Sequence, residues 1–182
     1  MLKNSESHYG AVTKVFHWML FLMLTFSVVG GNFLVSLPKG AEKLEMIGMH
    51  KLFGAVILTL IIARFFWRLI NVVPKDVTDT PDIQKILANV MHWGLYVLMF
   101  AQPLSGILMS QSAGYPISFF GLFEFPMWLD KDKSLAEFFR SVHGVIWIML
   151  AVAVFGHVSA ALQHHFIKKD NTLKKMMPGK KH

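Results

Sequence analysis

The sequence of 182 residues contains no cysteine, which excludes disulfides, cysteine-held iron–sulfur clusters and covalent haem attachment through a C-x-x-C-H motif. Charge is scarce as well: Asp, Glu, Lys and Arg make up 16% of the residues against 54% hydrophobic, and mean hydropathy is +0.47. Soluble domains carry about a quarter charged residues, so this composition is that of an integral membrane protein. Within the apolar runs there is no Asp or Glu and no H-x-x-x-H pattern, which argues against a zinc or other divalent-ion site there. The first apolar run also lacks a small-residue cleavage site and exceeds the core of a signal peptide, so it reads as a retained helix. Internal repeats, low-complexity segments and a second domain are absent, leaving one domain over residues 1–182.

What is present are four apolar runs, each near the 20 residues or so that a bilayer core requires. They predict spanning helices over about 14–36, 46–73, 84–110 and 134–166, an all-α transmembrane four-helix bundle. Thr80 followed by Pro81 is the expected start of the third helix, and Ser134 with Glu137 forms an S-x-x-E capping box for the fourth. Arg64 and Arg68, at the end of the second run, are expected to snorkel to headgroups. The loop over 110–133 is dense in aromatic residues, from Tyr115 and Phe119 to Trp128, and suits a flap in the membrane interface. A formal charge of +7 would suggest nucleic acid in a soluble protein. Here the Lys and Arg lie mostly in loops and tail, so the charge sets topology and no nucleic-acid partner is expected. The N-terminus, the loop between helices two and three and the tail hold twelve Lys and Arg. The opposite side holds six, balanced by six acidic residues. Both termini are therefore expected in the cytoplasm.

The run from Ser141 to Ser159 carries His143 and His157, fourteen positions apart and each beside a glycine, Gly144 and Gly156. Fourteen residues return to nearly the same helix face after a rise of about 21 Å, so one face offers an imidazole near each membrane surface. Ionisable residues inside a spanning helix are costly without a partner or a function. Topology turns the remaining histidines into depths. His50 opens the second helix and shares the outer depth with His143, with Gly54 one turn on leaving room for a flat ligand. His17 opens the first helix and shares the cytoplasmic depth with His157, but so does His92 near the start of the third. Two imidazole pairs, one per leaflet, are a usual means of holding b-type haem between bundled helices. Two stacked haems are the expectation, with His17 and His92 left as alternatives for the inner site.

The FHW of the first helix, the histidine opening the second, the H-x13-H of the fourth and the terminal HHFIKKDNTLKKMMP resemble the bacterial cytochrome b561 family over almost the whole chain. The resemblance implies a dihaem protein of the bacterial inner membrane, with haem iron held by His17 and His157 at one site and His50 and His143 at the other. Size and tail are most similar to the branch of the family that oxidises superoxide and reduces ubiquinone. That implies an oxidoreductase with a small anionic donor, superoxide, at the outer face and ubiquinone as acceptor.

Three further residues follow from position. His164 lies two turns beyond His157 on nearly the same face, about 10 Å nearer the cytoplasm, where a quinone headgroup docks; the resemblance supports that role. His165, one step round the helix, reads as an interface residue. Lys51 adjoins His50, and Arg140 stands three residues before His143, so the pair is expected to steer an anionic donor to the outer face. The competing reading is a cytochrome b subunit that anchors a soluble dehydrogenase or hydrogenase to the quinone pool.

Overall fold

The computed structural model describes residues 1–75, 81–119 and 122–178. The chain folds as a bundle of α1 (Ala11–Ser36), α2 (Ala41–Leu69), α3 (Asp82–Ser112) and α4 (Lys133–Phe166), all four long and apolar enough to cross a membrane. Between α3 and α4 lies a short hairpin of β1 (Ser118–Phe119) and β2 (Phe123–Glu124), antiparallel with Ser118 opposite Glu124. A terminal helix, α5 (Thr172–Met176), follows α4. The principal helix pairings are α3 with α4, α1 with α2 and α2 with α3. The buried core is small, with Leu20, Ile57 and Ile61 packed against Met23, Leu24, Leu60, Met99 and Phe100. Phe26 and Phe155 remain 71% and 75% exposed, which in a bilayer is contact with lipid rather than a hydrophobic penalty.

Local chemistry moves several boundaries from their expected places. The second helix begins at Ala41, after Gly40, because Glu42, Lys43 and Glu45 add a solvated first turn to the apolar run. It ends at Leu69, and the residues ahead of Pro74 do not continue it, since a residue before proline is disfavoured in helical geometry. The fourth helix is capped by Asp132, not by Ser134: the Asp132 carboxylate accepts from the Leu135 backbone N–H at 3.0 Å. Asp is at least as good a cap as Ser, and here it stands two residues earlier. Pro81 is the residue immediately ahead of α3, while Thr80 lies outside the described residues. The aromatic loop is partly folded. Gln111, fully buried, donates to the Pro126 carbonyl and accepts from the Trp128 N–H, and Phe119 stacks on Phe123 with centroids 5.3 Å apart.

The two chain ends are latched onto the same end of the bundle. Asn4 donates to the Val72 carbonyl at 2.8 Å and accepts from the Gly10 N–H and the Thr13 hydroxyl. Trp67 in turn donates to Thr13 at 2.9 Å. A Cβ at Gly10 would lie 2.3 Å from the Leu2 carbonyl oxygen, so the N-terminal segment crosses there only because the side chain is absent. From the tail, the carbonyls of Met176 and Met177 accept from the Trp18 indole and the Lys14 ammonium. The cap assignment yields a direct prediction. Asp132→Ala should lower stability by about 1 kcal/mol, read as a fall in thermal midpoint in detergent and faster amide exchange at Leu135. Ser134→Ala should do neither.

Candidate functional site

The bundle gathers imidazoles at both ends. At the end remote from the termini, His50 of α2 and His143 of α4 face each other with ring centroids 6.4 Å apart. At the terminal end, His17 of α1 and His157 of α4 stand 6.2 Å apart. His92 of α3 lies edge-on to His157 at 5.5 Å, so all three histidines of that depth converge. One helix thus supplies a ring to each site.

An iron bound at about 2 Å by one nitrogen from each of two opposed imidazoles sets their centroids about 6 Å apart. Both facing pairs have that spacing. Among the described residues there is no group of three or more His, Asp or Glu able to hold a bare metal ion. Each pair offers two facing imidazole nitrogens, so a metal held between them would need further ligands from another source, such as a macrocycle. The glycines that make room for the rings sit on neighbouring helices. A Cβ at Gly31 would come within 3.2 Å of His50 Cε1, and one at Gly106 within 3.3 Å of His143 Cε1. A Cβ at Gly54 or Gly144 would meet nothing within 4 Å, which leaves space beside the outer pair.

His143 is the most fully oriented of the rings. Its Nδ1 lies 3.0 Å from the Gln102 carbonyl and 2.9 Å from the Ser105 hydroxyl. A carbonyl beside Nδ1 fixes the proton there and leaves Nε2 as the free lone pair, the arrangement that orients metal-binding histidines. The Gln102 side-chain amide donates to that Nε2 at 3.0 Å. Its Oε1 is buried without a hydrogen-bond partner among the described residues. A half-satisfied amide is a weakly held occupant of the ligand direction, so this donor set suits haem iron.

At the terminal end, Arg64 departs from its expected course. It does not snorkel: Nε donates to the Tyr96 hydroxyl at 3.2 Å and Nη2 lies 3.4 Å from His17 Nδ1. Tyr96 is buried and its phenol offers an acceptor, so the guanidinium turns into the bundle. Arg68 stacks over Trp93 and Tyr96 at 5.9 and 5.8 Å, a cation–π arrangement.

His164 is joined to a carboxylate: its Nδ1 lies 2.5 Å from Asp170 Oδ2, both side chains being less than a fifth exposed. Burial by itself would raise the Asp170 pKa, but hydrogen bonds from the backbone and hydroxyl of Thr172, with the contribution of His164, outweigh it and hold the carboxyl below its ordinary range. The tail turns back through the same residues, with the Asp170 N–H donating to the His164 carbonyl. The Lys168 ammonium lies 3.5 Å from His164 Nε2 and bonds Gln84 of α3. His165 is half-buried, and its Nδ1 has no hydrogen-bond partner among the described residues. At the opposite end, Lys51 donates to the Pro116 carbonyl at 3.3 Å and lies 5.5 Å over the Tyr115 ring, which ties it to the aromatic loop. Arg140 is exposed.

Sequence reasoning brought out the histidines but not Ser105, Gly31 or Asp170, nor the carbonyl partnership of Gln102. These act across helices or across a turn of the tail, so no spacing along one helix signals them.

A family model described as prokaryotic cytochrome b561 matches residues 8–179. Cytochrome b561 homolog 2 of Escherichia coli (strain K12) is 32% identical over 183 residues, covering 96% of this chain and 93% of its own. Cytochrome b561 homolog 1 of the same organism is 29% identical, with 91% and 94% covered. A Yersinia pestis protein named probable superoxide oxidase CybB is 30% identical over 166 residues, covering 91% of this chain and 93% of its own. With four spanning helices, paired imidazoles at each end and a family match over nearly its full length, the chain belongs to the prokaryotic cytochrome b561 family.

Proposed function

We propose that this protein is a dihaem oxidoreductase that carries electrons across the inner membrane from an outer donor, superoxide, to ubiquinone. The carrying observation is the pair of facing imidazole sets, 6.4 and 6.2 Å between centroids, at opposite ends of one bundle. His50 and His143 would hold the outer haem and His17 and His157 the inner one. His92, at 5.5 Å from His157, stands closer than the facing-ring spacing of about 6 Å and serves as a neighbour to the inner site. Family membership implies b-type haem, which when bound supplies a one-electron iron couple.

The chain's own residues divide the remaining work. Oxidation of superoxide releases dioxygen and one electron, with no proton to move, so the outer site needs only an electropositive approach. Lys51 beside His50 and exposed Arg140 one turn from His143 provide it. Reduction of ubiquinone to quinol takes two electrons and two protons, so two superoxide ions are consumed for each quinone. Asp170 orients His164 through Nδ1, and the imidazole, with the Lys168 ammonium 3.5 Å from its Nε2, serves as the hydrogen-bond partner of a quinone oxygen. Both termini lie on the cytoplasmic side, from which those protons come. The name of the Yersinia pestis relative supports superoxide as the donor. The exposed outer loop, with Leu122 81% and Trp128 64% exposed, offers the alternative of docking a soluble dehydrogenase or hydrogenase, and stable co-purification with such a partner would favour it.

Three measurements test this reading. Pyridine haemochrome and optical spectra should show two haems in the native protein. His143→Leu and His157→Leu should each lose one, since each ligand serves only its own depth; two unchanged haems in both variants would refute the assignment. Superoxide-driven haem reduction, followed by stopped flow, should slow with added salt and by up to about 10-fold in Lys51→Gln or Arg140→Gln, with quinol-driven reduction unchanged. A rate insensitive to salt and to both substitutions would move the reading to the electron-transfer subunit. His164→Leu should slow quinone reduction while leaving haem reduction by the donor at its native rate.

A further inference from the structure

Arg64 is a full positive charge inside a spanning helix. Its neighbours are the buried phenol of Tyr96 and the ring of His17, neither of which carries a negative charge. Among the described residues neither Arg64 nor Arg68 pairs with a carboxylate. A guanidinium kept at this depth without a counter-ion is costly, and such residues face a bundle interior where they meet an anion. The position narrows the choice of anion. Arg64 lies four residues, about 6 Å, deeper than Arg68 on the same face of α2. Arg68, stacked on Trp93 and Tyr96 near the helix end, is the one placed to meet lipid phosphate. Arg64 is aimed instead at the imidazole cluster of His17, His92 and His157.

We propose that Arg64, oriented by Tyr96, is the anchor for a carboxylate of the inner haem, binding a propionate group and raising that haem's reduction potential above that of the outer one. The inference rests on the proposed axial pair at the terminal end and adds to it a role that the ligands do not supply. A fixed cation beside a redox centre stabilises its reduced form, which carries one positive charge fewer, and the effect is strong where water is excluded. The outer pair has a different neighbourhood: His143 is held by the uncharged Gln102 and Ser105, and the half-buried Lys51 next to His50 is bonded to the Pro116 carbonyl rather than to a ring, so among the described residues the two sites differ by a half-buried cation in contact with an imidazole. Electrons arriving at the outer face are then drawn inward. Arginine also suits this role by its planar, bidentate fork, which lysine lacks.

The test is a potentiometric titration of the haem absorbance of the intact protein in nanodiscs, with haem content and the ferric electron paramagnetic resonance signals measured on the same samples. In Arg64→Gln the higher of the two potentials should fall while the lower stays in place, and the displaced component should become pH-dependent in the acid range as the released propionate titrates. Arg64→Lys, which keeps the charge but loses the fork, should give an intermediate potential. Exchange of anionic for zwitterionic lipid should leave the native potentials in place. Unchanged potentials in Arg64→Gln, a shift in Arg64→Lys as large as in Arg64→Gln, or a shift with lipid charge matching that of Arg64→Gln would each overturn the proposal. If Arg64→Gln fails to retain the inner haem, Arg64→Lys decides: retention at a near-native potential supports the anchor, and loss there too overturns it. A native protein with only one bis-histidine signal would instead refute the two-haem reading on which the inference stands.

Discussion

An imidazole inside a membrane-spanning bundle has to be held by something, and the architecture follows from that constraint. Hydrocarbon offers no hydrogen bonds, and a ring nitrogen that faces nothing costs as much as a broken hydrogen bond. The bundle meets this at His143 by the carbonyl of Gln102 and the hydroxyl of Ser105. Elsewhere it sets rings in facing pairs. Each pair needs two helices, and α4 takes part in both, although its own packing is chiefly against α3.

The small packed core is consistent with this arrangement. Only a few side chains, with Leu20, Ile57 and Ile61 at their centre, form a buried cluster, while Gly31 and Gly106 bring helix backbones up to the rings of His50 and His143. Packing that accommodates rings at both ends leaves less side-chain volume to bury. Without a hydrophobic drive between helices in lipid, close backbone approach and polar contacts carry the association. The latches at the chain ends add to it. Asn4, Thr13 and Trp67 join the N-terminal segment to α1 and α2, and Trp18 and Lys14 hold the tail. These contacts surround the same end of the bundle as His17, His157 and Arg64, and the His164–Asp170 pair belongs to the same terminal assembly.

The two ends consequently differ in charge and in enclosure. The terminal end is basic, latched and rich in histidine, whereas the remote end is closed by an aromatic hairpin tied down through Gln111 and Lys51. That asymmetry fits the proposed direction of electron transfer, which assigns the anionic donor to the end with the exposed loop and the quinone to the end with the carboxylate-held imidazole. It also accounts for why Arg64 and Arg68 behave differently although they lie one turn apart, since only Arg64 finds the Tyr96 hydroxyl and His17 within reach.

The sequence by itself determined the membrane class, the four spans and the sorting of histidines into two depths. Apolar length, the loop distribution of Lys and Arg and the fourteen-residue spacing are one-dimensional quantities that a helix converts directly into distance and face. His17 and His92 could not be separated that way, because both lie at one depth on different helices. The spacing of about 6 Å on which the proposed pairing of His17 with His157 rests exists only in the packed bundle. The same limit hid the inward turn of Arg64, the carbonyl of Gln102 on His143, the ring-facing glycines of α1 and α3, and the hold of Asp170 on His164. Local pattern also misassigned the cap of α4, where a good Ser motif lay two residues inside a better-placed Asp132. Depth is set by position along a helix, but which side chains meet at that depth is set by rotation and packing between helices, and only the tertiary structure decided it.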